Sequence, residues 1–407
     1  MSDPHASAEP AQAPPTSTHT DPPGTGSWPP PAAPGRGRRR RGRRVAGGIA
    51  LALLVVVLVG AFVAAHTQIN YFVITPGQAT PVSQYIRVPP QYRHPLTGKI
   101  LLTDVYVSQL NALNYLQYRF FESNSQIYPG SELLDGAPTE GQFLNQGYLQ
   151  MAQAQNFATA TALTHLGYHV SSSDSGALVY GIPAKSPAAG TLKVAEVIEA
   201  LNEKPTPTVC ALTTALHGYE PGATVTLRVQ ENTINNQGTF VPGKTVDKAV
   251  TLGTPLKGVD DPNCGGTPTA YLGVLTQTQQ DWHFPVDVTI NTPQIGGPSA
   301  GVAMTLGIID KMTSGKLTGG HVIAATGTMD QNGNIGDVGG VAEKTIAVER
   351  EGATVFFVPS VEYKTAEAKA TPQLHVYGVS TLDQVLRALK RLGGSVPSHP
   401  LPVQAAP

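Results

Sequence analysis

The chain has 407 residues, room for two or three domains, and only 14% of them are charged, with a formal net charge of −1. From residue 66 onward it carries 20 basic and 25 acidic residues, a balance that excludes a nucleic-acid surface in that part. The remaining basic residues are gathered in one short run near the N-terminus.

Residues 1–35 contain no Lys or Arg and are crowded with Pro, Ala, Ser and Thr, so they cannot bury a core and are expected to be disordered. Seven arginines follow between Arg36 and Arg44. Residues 45–65 are then 21 apolar or small residues without a charge, which at about 1.5 Å per residue span a bilayer's hydrocarbon. A basic run alone could bind nucleic acid, but one abutting such a segment reads as the positive-inside flank of a membrane helix. The expected topology is a single pass through the plasma membrane, with residues 1–44 as a cytoplasmic tail and everything from His66 outside. A cleaved signal peptide is the rival, with Val63-Ala64-Ala65 as its cleavage site. The long leader, and an apolar run exceeding the roughly 7–15 residues of a signal core, favour a retained anchor.

Within 66–166, residues 69–108 read as strands broken by Pro, with 99–107 alternating in a half-buried pattern, and 141–166 has helical character. His165 and His169 have helical spacing. Gly167 lies between them and no Glu follows the first, so no zinc-protease motif and no metal site is expected. Residues 167–255 read as a compact β-rich module. Ser186-Pro187-Ala188-Ala189-Gly190 precedes Leu192-Lys193-Val194-Ala195-Glu196-Val197-Ile198, then Asn202-Glu203, a helix-like 210–217 and an alternating strand over 223–230. This order resembles a PDZ domain of the bacterial type, whose signature is Ser-Pro-Ala, then Leu-Lys-x-Gly-Asp-x-Ile, then Asn-Gly. Ala195-Glu196 stands where that signature has Gly-Asp, and Asn202-Glu203 where it has Asn-Gly. The resemblance implies a module that captures an extended peptide by adding it to a sheet edge. A structural β-insert with a closed groove is the alternative.

Gly238-Thr239-Phe240-Val241-Pro242-Gly243-Lys244-Thr245 fits the P-loop string. A polar segment enters it and a strand-like 246–252 leaves it, so no helix N-terminus would face a phosphate, and no nucleotide is expected. Cys210 and Cys264, the only cysteines, both fall on the outer side, where an oxidising compartment permits one disulfide; two buried free thiols are the alternative.

Residues 271–390 alternate strand-like and helix-like segments at 286–290, 300–312, 322–326, 341–351, 354–358 and 382–392, an α/β or α+β pattern. Two glycine-rich turns each put a reactive side chain beside a helix start. Gly296-Gly297-Pro298-Ser299-Ala300-Gly301 offers Ser299, and Gly339-Gly340-Val341-Ala342-Glu343-Lys344 offers Lys344. A serine needs a nearby base to act as a nucleophile, and a lysine becomes one when its surroundings lower its pKa. Lys344 shares a helix face with Val341 and Val348, although Glu351 falls on the same stripe. The first turn also satisfies the Gly-x-Ser-x-Gly string, for which Asp337 and His375 could complete a hydrolase triad, but no strand runs directly into Gly297. Ser299 as a plain helix N-cap is the bland alternative.

The wider stretch 295–359 closely resembles the proteolytic domain of the Lon family. Pro298-Ser299-Ala300-Gly301 matches its nucleophile segment, Thr326-Gly327 its Thr-Gly strand, Gly339-Gly340-Val341-Ala342-Glu343-Lys344 its Gly-Gly-x-x-x-Lys, and 352–359 its following strand. By this resemblance Ser299 is the nucleophile, Lys344 the general base and Thr326 a hydroxyl that helps orient the lysine. Backbone N–H groups of Gly297 and Ala300 are the oxyanion-hole candidates. The family has Glu after Thr-Gly; here Thr328 takes its place.

Anchor, PDZ-like module and Lon-like domain together resemble the bacterial membrane-anchored PDZ-containing Lon-like proteases. The expected fold class is α+β: a transmembrane helix at 45–65, residues 66–166 completing the protease fold, a PDZ-like module at 167–255, a Lon-type α/β domain at 271–392 and a disordered tail at 393–407. The resemblance implies an ATP-independent serine endopeptidase without cofactor, acting on exported or membrane-associated polypeptides. It is compatible with a homo-oligomer like the ring-forming Lon proteases. A non-catalytic peptide-binding scaffold is the other reading.

Overall fold

The computed structural model describes residues 37–134, 140–235, 240–255 and 264–397, and the chain divides into two compact units after Gly60. Helix α1 (Gly37–His66) starts ahead of the apolar run. Its stretch Ala46–His66 is long and apolar enough to cross a membrane, with a mean hydropathy of 2.9. The disorder expected for residues 1–35 lies outside the described residues.

After α1 come β1 (Gln68–Pro81), the two-residue β2 (Ile86–Arg87) and β3 (Lys99–Asn111). Pro89, Pro90 and Pro95 fall between β2 and β3 as the Pro-broken pattern requires, whereas β1 runs on through Pro76 with a register shift before Ala79. Helix α2 (Ala112–Phe121), β4 (Gln126–Pro129), the short α3 (Gly130–Leu133) and the long α4 (Glu140–His165) come next.

The module comprises β5 (Ser171–Gly181), β6 (Val197–Leu201), β7 (Lys204–Pro205), α5 (Val209–Leu216), β8 (Thr224–Gln230), β9 (Thr233–Ile234), β10 (Phe240–Val241), β11 (Thr245–Thr251) and β12 (Leu275–His283). Its main sheet has the order β11-β8-β6-β5-β12, with β7 beside β6. Alternating apolar residues of β8 (Val225, Leu227, Val229) face a core shared with Leu212 and Leu216 of α5. Cys210 and Cys264 form a disulfide, tying the first turn of α5 to the segment before β12.

Both departures from the PDZ signature keep the turn geometry. Ala195 takes a left-handed φ of 80° where the signature has Gly, and the buried Glu196 carboxylate accepts from the Lys193 amide at 3.0 Å. Asn202 and Glu203 are both left-handed, as a two-residue hairpin turn demands. The P-loop string behaves as its flanks foretell. From Phe240 onward it is β10, a turn and the start of β11, while Gly238 and Thr239 lie outside the described residues.

β12 falls within 271–392, the stretch read as the C-terminal domain, yet it pairs antiparallel with β5 along its whole length. Ser171 lies opposite His283, so the chain enters and leaves the module through adjacent strands. The module is therefore an insertion, bounded by α4 on one side and by Phe284 on the other.

The remainder is β13 (Thr289–Ile290), α6 (Gly301–Met312), β14 (Val322–Ala325), β15 (Thr328–Met329), β16 (Ile335–Gly336), α7 (Val341–Arg350), β17 (Val355–Pro359), α8 (Tyr363–Glu367), β18 (His375–Val379) and α9 (Leu382–Arg391). The strand expected over 286–290 shrinks to β13. Val286 and Val288 turn into the core, and only Thr289 and Ile290 find a partner, in β2. The tail expected to be disordered from 393 is held at its start. Gly394 and Ser395 donate to Leu389 and Lys316 carbonyls, and Val396 packs on the core; residues 398–407 lie outside the described residues.

The second six-stranded sheet runs β18-β17-β14-β3-β1-β4, parallel from β18 to β3 and antiparallel beyond. Residues 66–166 thus supply half of its strands. Alternation along the strands assigns the two faces. Ile100, Leu102, Ile323, Ala325, Val355 and Phe357 pack with α4, α6 and α9. Leu101, Ala324, Phe356 and Val358 pack with Val341 and Val348 of α7 and with Ala366 of α8. The helices leading from the two glycine-rich turns therefore cover opposite faces of one sheet.

Candidate active site

Opposite faces meet where β14 ends, since its last residue Ala325 leads directly to Thr326 and Gly327. The Ser299 carbonyl accepts from the Gly327 amide at 2.9 Å and from the Thr326 hydroxyl at 3.2 Å, while the Gly327 carbonyl accepts from the Val302 amide at 3.2 Å. These bonds fasten the start of α6 to the end of β14. The same closeness explains Gly301: a Cβ there would lie 2.7 Å from the Met329 nitrogen, so only glycine fits. Ser299 is not the cap of α6. That position belongs to Ala300, and no side chain caps the helix.

From the other face, Gly340 starts α7 with a left-handed φ of 69°, and its carbonyl accepts from the Lys344 amide at 2.9 Å. Lys344 is 3% exposed and its Nζ donates to Thr326 Oγ1 at 3.4 Å. Burial pushes its amine from the ordinary 10.5 down to about 8, although the carboxylates of Glu362, Asp104 and Glu343 pull the other way. Those carboxylates are themselves raised by burial. Asp104 accepts from the Gln78 amide at 2.6 Å and Glu362 from the Val338 amide at 2.8 Å. Val341 and Val348 are buried beside Lys344, whereas Glu351 follows the last turn of α7 and is exposed, so it does not spoil that face.

Ser299, Ala300, Gly297 and Lys344 line one cavity of about 490 Å³, together with Asp104 of β3 and Phe143 of α4. One oxyanion candidate is already engaged. The Gly297 amide already donates to the Gly147 carbonyl of α4 at 2.7 Å. Among the described residues the amides of Ser299 and Ala300 make no backbone hydrogen bond.

Other candidates lie elsewhere. His375 and Asp337 are exposed and do not line this cavity, His375 sitting on the edge strand β18. The Thr328 hydroxyl accepts from the Gly336 amide at 3.1 Å within the β15–β16 hairpin. Among the described residues no cluster of three His, Cys, Asp or Glu side chains is arranged to hold a metal ion. Sequence reasoning missed Asp104 and Glu362. Asp104 left a trace as a lone charge inside an apolar strand, while Glu362, beyond the end of β17, left none.

Residues 274–391 match the C-terminal proteolytic domain of Lon protease (S16). The chain carries a Lon-type proteolytic domain. It is 35% identical over 94 residues to Lon protease of Koribacter versatilis, covering 22% of this chain and 11% of that one. It is 28% identical over 127 residues to Lon protease of Chloroflexus aggregans, covering 30% of this chain and 15% of that one. The chain thus spans less than a sixth of the length of either relative. The PDZ domain of the SdrC-like protein from Listeria monocytogenes aligns over 25% of this chain and 87% of its own, at 16% identity and a TM-score of 0.19. The Lon-type match begins at the last residue before β12, so β1, β3 and β4, which complete its sheet, lie outside it.

Proposed function

We propose that the chain is an ATP-independent serine endopeptidase in which Ser299 is the nucleophile and Lys344 the general base. The observation that carries this is a buried lysine with a pKa near 8 on the same cavity as the serine, joined to the serine's backbone through the Thr326 hydroxyl. A neutral Lys344 takes the proton from Ser299 Oγ as it attacks a peptide carbonyl, and returns it to the leaving amine. The amides of Ser299 and Ala300 stabilise the oxyanion, helped by the N-terminal end of α6. Water then releases the acyl group by the same proton relay.

The anchor within α1 holds the enzyme in the plasma membrane, with the arginine run on the cytoplasmic side and the domains from His66 outside. A disulfide between Cys210 and Cys264 supports an oxidising compartment. Its substrates are exported or membrane-associated polypeptides captured by the PDZ-like module. Support for capture comes from β12, which ends its sheet and offers an outer edge to an added strand. Ser299→Ala and Lys344→Ala should each abolish peptide cleavage by the folded protein, with His375→Ala active. Substantial turnover by Lys344→Ala sinks the dyad. ATP should leave the rate unchanged, and an ATP-driven increase lost in Lys244→Ala sinks the nucleotide-independent reading.

A further inference from the structure

Helix α2 is built inside out. In a surface helix of a water-soluble domain the apolar side chains turn inward and the polar ones outward. Here Leu113, Leu116 and Phe120 recur at i, i+3 and i+7 on one face, yet they are 45%, 51% and 69% exposed. Phe121 beside them is 83% exposed, and no residue of the helix is buried. The helix is nevertheless firmly placed. The Asn111 side chain caps it by accepting from the Asn114 amide at 2.7 Å, and Tyr115 packs on Tyr71 of β1 with ring centroids 5.1 Å apart. Its outward face is a fixed, mainly apolar patch on an ordered element, with the exposed Gln117 among the Leu and Phe side chains.

The position of this patch says what covers it. The Ala112 amide, first in α2, donates to the Thr67 carbonyl at 3.3 Å. Thr67 is the residue immediately after His66, where the membrane-spanning stretch ends. Chain connectivity alone holds Thr67 at the bilayer surface if that stretch crosses the membrane, and the hydrogen bond holds the start of α2 there with it. A ten-residue helix is about 15 Å long, short enough to lie flat along the headgroup boundary. Its chemistry suits that zone: Leu and Phe on the outward face, Tyr115 and Tyr118 beneath, and Arg119 at the last turn with its guanidinium 6.0 Å from the Phe120 ring.

We infer that α2 is a second membrane contact, an interfacial helix that lays Leu113, Leu116, Phe120 and Phe121 into the outer surface of the lipid bilayer. This rests on the anchor proposed for α1. It also bears on the cavity. The strand that ends at α2, β3, lines the cavity with Tyr106, about 17 Å along the strand from Asn111. Tyr106 and Val107 are themselves exposed, and the polar Ser108, Gln109 and Asn111 separate them from α2. The contact fixes the cavity close to the membrane, within reach of polypeptide that lies on the bilayer or emerges from it.

The test uses the full chain in phosphatidylcholine–phosphatidylglycerol vesicles, with one nitroxide on an introduced cysteine, since both native cysteines are in the disulfide. Collision with oxygen and with a water-soluble nickel chelate is measured for Phe121→Cys, for Val56→Cys in the anchor and for the exposed Val361→Cys. At Phe121→Cys, nickel collision should fall at least about threefold below Val361→Cys, with an oxygen-to-nickel ratio between the other two sites. Nickel access equal to Val361→Cys overturns the contact. Spin–spin broadening at Phe121→Cys that disappears on dilution with unlabelled protein overturns it in favour of a second copy. An aqueous signal at Val56→Cys refutes the anchor itself, and is distinguished from failure at α2 by its position.

Discussion

Lys344 Nζ lies 3.4 Å from Thr326 Oγ1, and that same hydroxyl donates at 3.2 Å to the carbonyl of Ser299. One threonine therefore connects the amine on one face of the sheet to the backbone of the serine on the other. Because Thr326 follows β14 directly, the central strand sets the separation of the two side chains. Ligand sites at the C-terminal edge of parallel strands are a general feature of α/β sheets.

The burial of Lys344 sets a pH profile. Only the neutral amine accepts a proton, and burial lowers its pKa to about 8. Activity should therefore rise with pH and be half-maximal near 8, where an exposed lysine would require more than about 10. Glu362 is the first of the carboxylates that favour the charged amine. Glu362→Gln keeps an acceptor for the Val338 amide, removes the charge, and should move the rising limb to lower pH. A limb that stays in place, or moves up, would separate Lys344 from the kinetic pKa.

The same shift carries a stability consequence of defined sign. The folded state holds Lys344 at about 8, while the unfolded chain holds it near the ordinary 10.5. The unfolded state thus binds more protons between these values, and stability from this group rises with pH across that window. Below pH 8 the penalty is complete, on the order of 3 kcal/mol from the size of the shift. Lys344→Met should be inactive yet more stable at pH 7 by about 1–3 kcal/mol in urea unfolding, with the gain shrinking toward pH 10. A less stable variant at pH 7 would mean that the Thr326 contact outweighs burial of the charge.

Much of this was legible because periodicity and glycine placement are local. Leu382 and Leu386 announce α9, and the apolar run Ile100-Leu101-Leu102 announces β3. The half-buried alternation expected over 99–107 nevertheless gives way to burial on both faces, because helices cover the sheet on each side. What escaped depends on distant partners. β12 is polar at Gln277, Gln279 and Gln280 and is held by pairing to β5, which its own pattern does not record. Helix α2 has apolar spacing like a buried helix, and only its neighbours reveal that the face is outward. The engagement of the Gly297 amide is of the same kind, because its acceptor, Gly147, lies far away in sequence on α4.

The hairpin turn at Glu203 offers a clean test of backbone strain. Its φ of 65° is left-handed and its side chain is exposed, so a substitution loses no packing. Glu203→Gly should stabilise the protein by about 1 kcal/mol in thermal or urea unfolding. Ala195→Gly is the informative contrast. Ala195 is also left-handed but fully buried beside Leu149 and Leu178, so removing its methyl loses packing that offsets the relief. Equal gains at both sites would show that strain alone governs the turns.

The disulfide should matter more than any single turn. It closes a 54-residue separation, for which loop entropy gives about 4 kcal/mol. Cys210→Ser with Cys264→Ser should lower stability by about 2–5 kcal/mol and speed amide exchange first in α5, whose opening turn carries Cys210. Unchanged exchange in α5 would show that its packing on Val225, Leu227 and Val229 suffices.

Recruitment and support by the PDZ-like module are separable because its two connecting strands are neighbours. Excising residues 171–283 leaves ends that faced each other across β5 and β12, so a short turn can rejoin them. Leu149 of α4 packs against Leu178, Ala195 and Val197 of the module and would be left exposed, so the excision includes Leu149→Gln. If the module tethers substrate, cleavage of long polypeptides should fall by more than about tenfold while short peptides stay within about threefold. The opposing case runs through α4, because the Gly147 carbonyl that holds the Gly297 amide is two residues from Leu149. Equal loss for long and short substrates in a folded excision variant would mean that the module acts by bracing α4 against the serine turn.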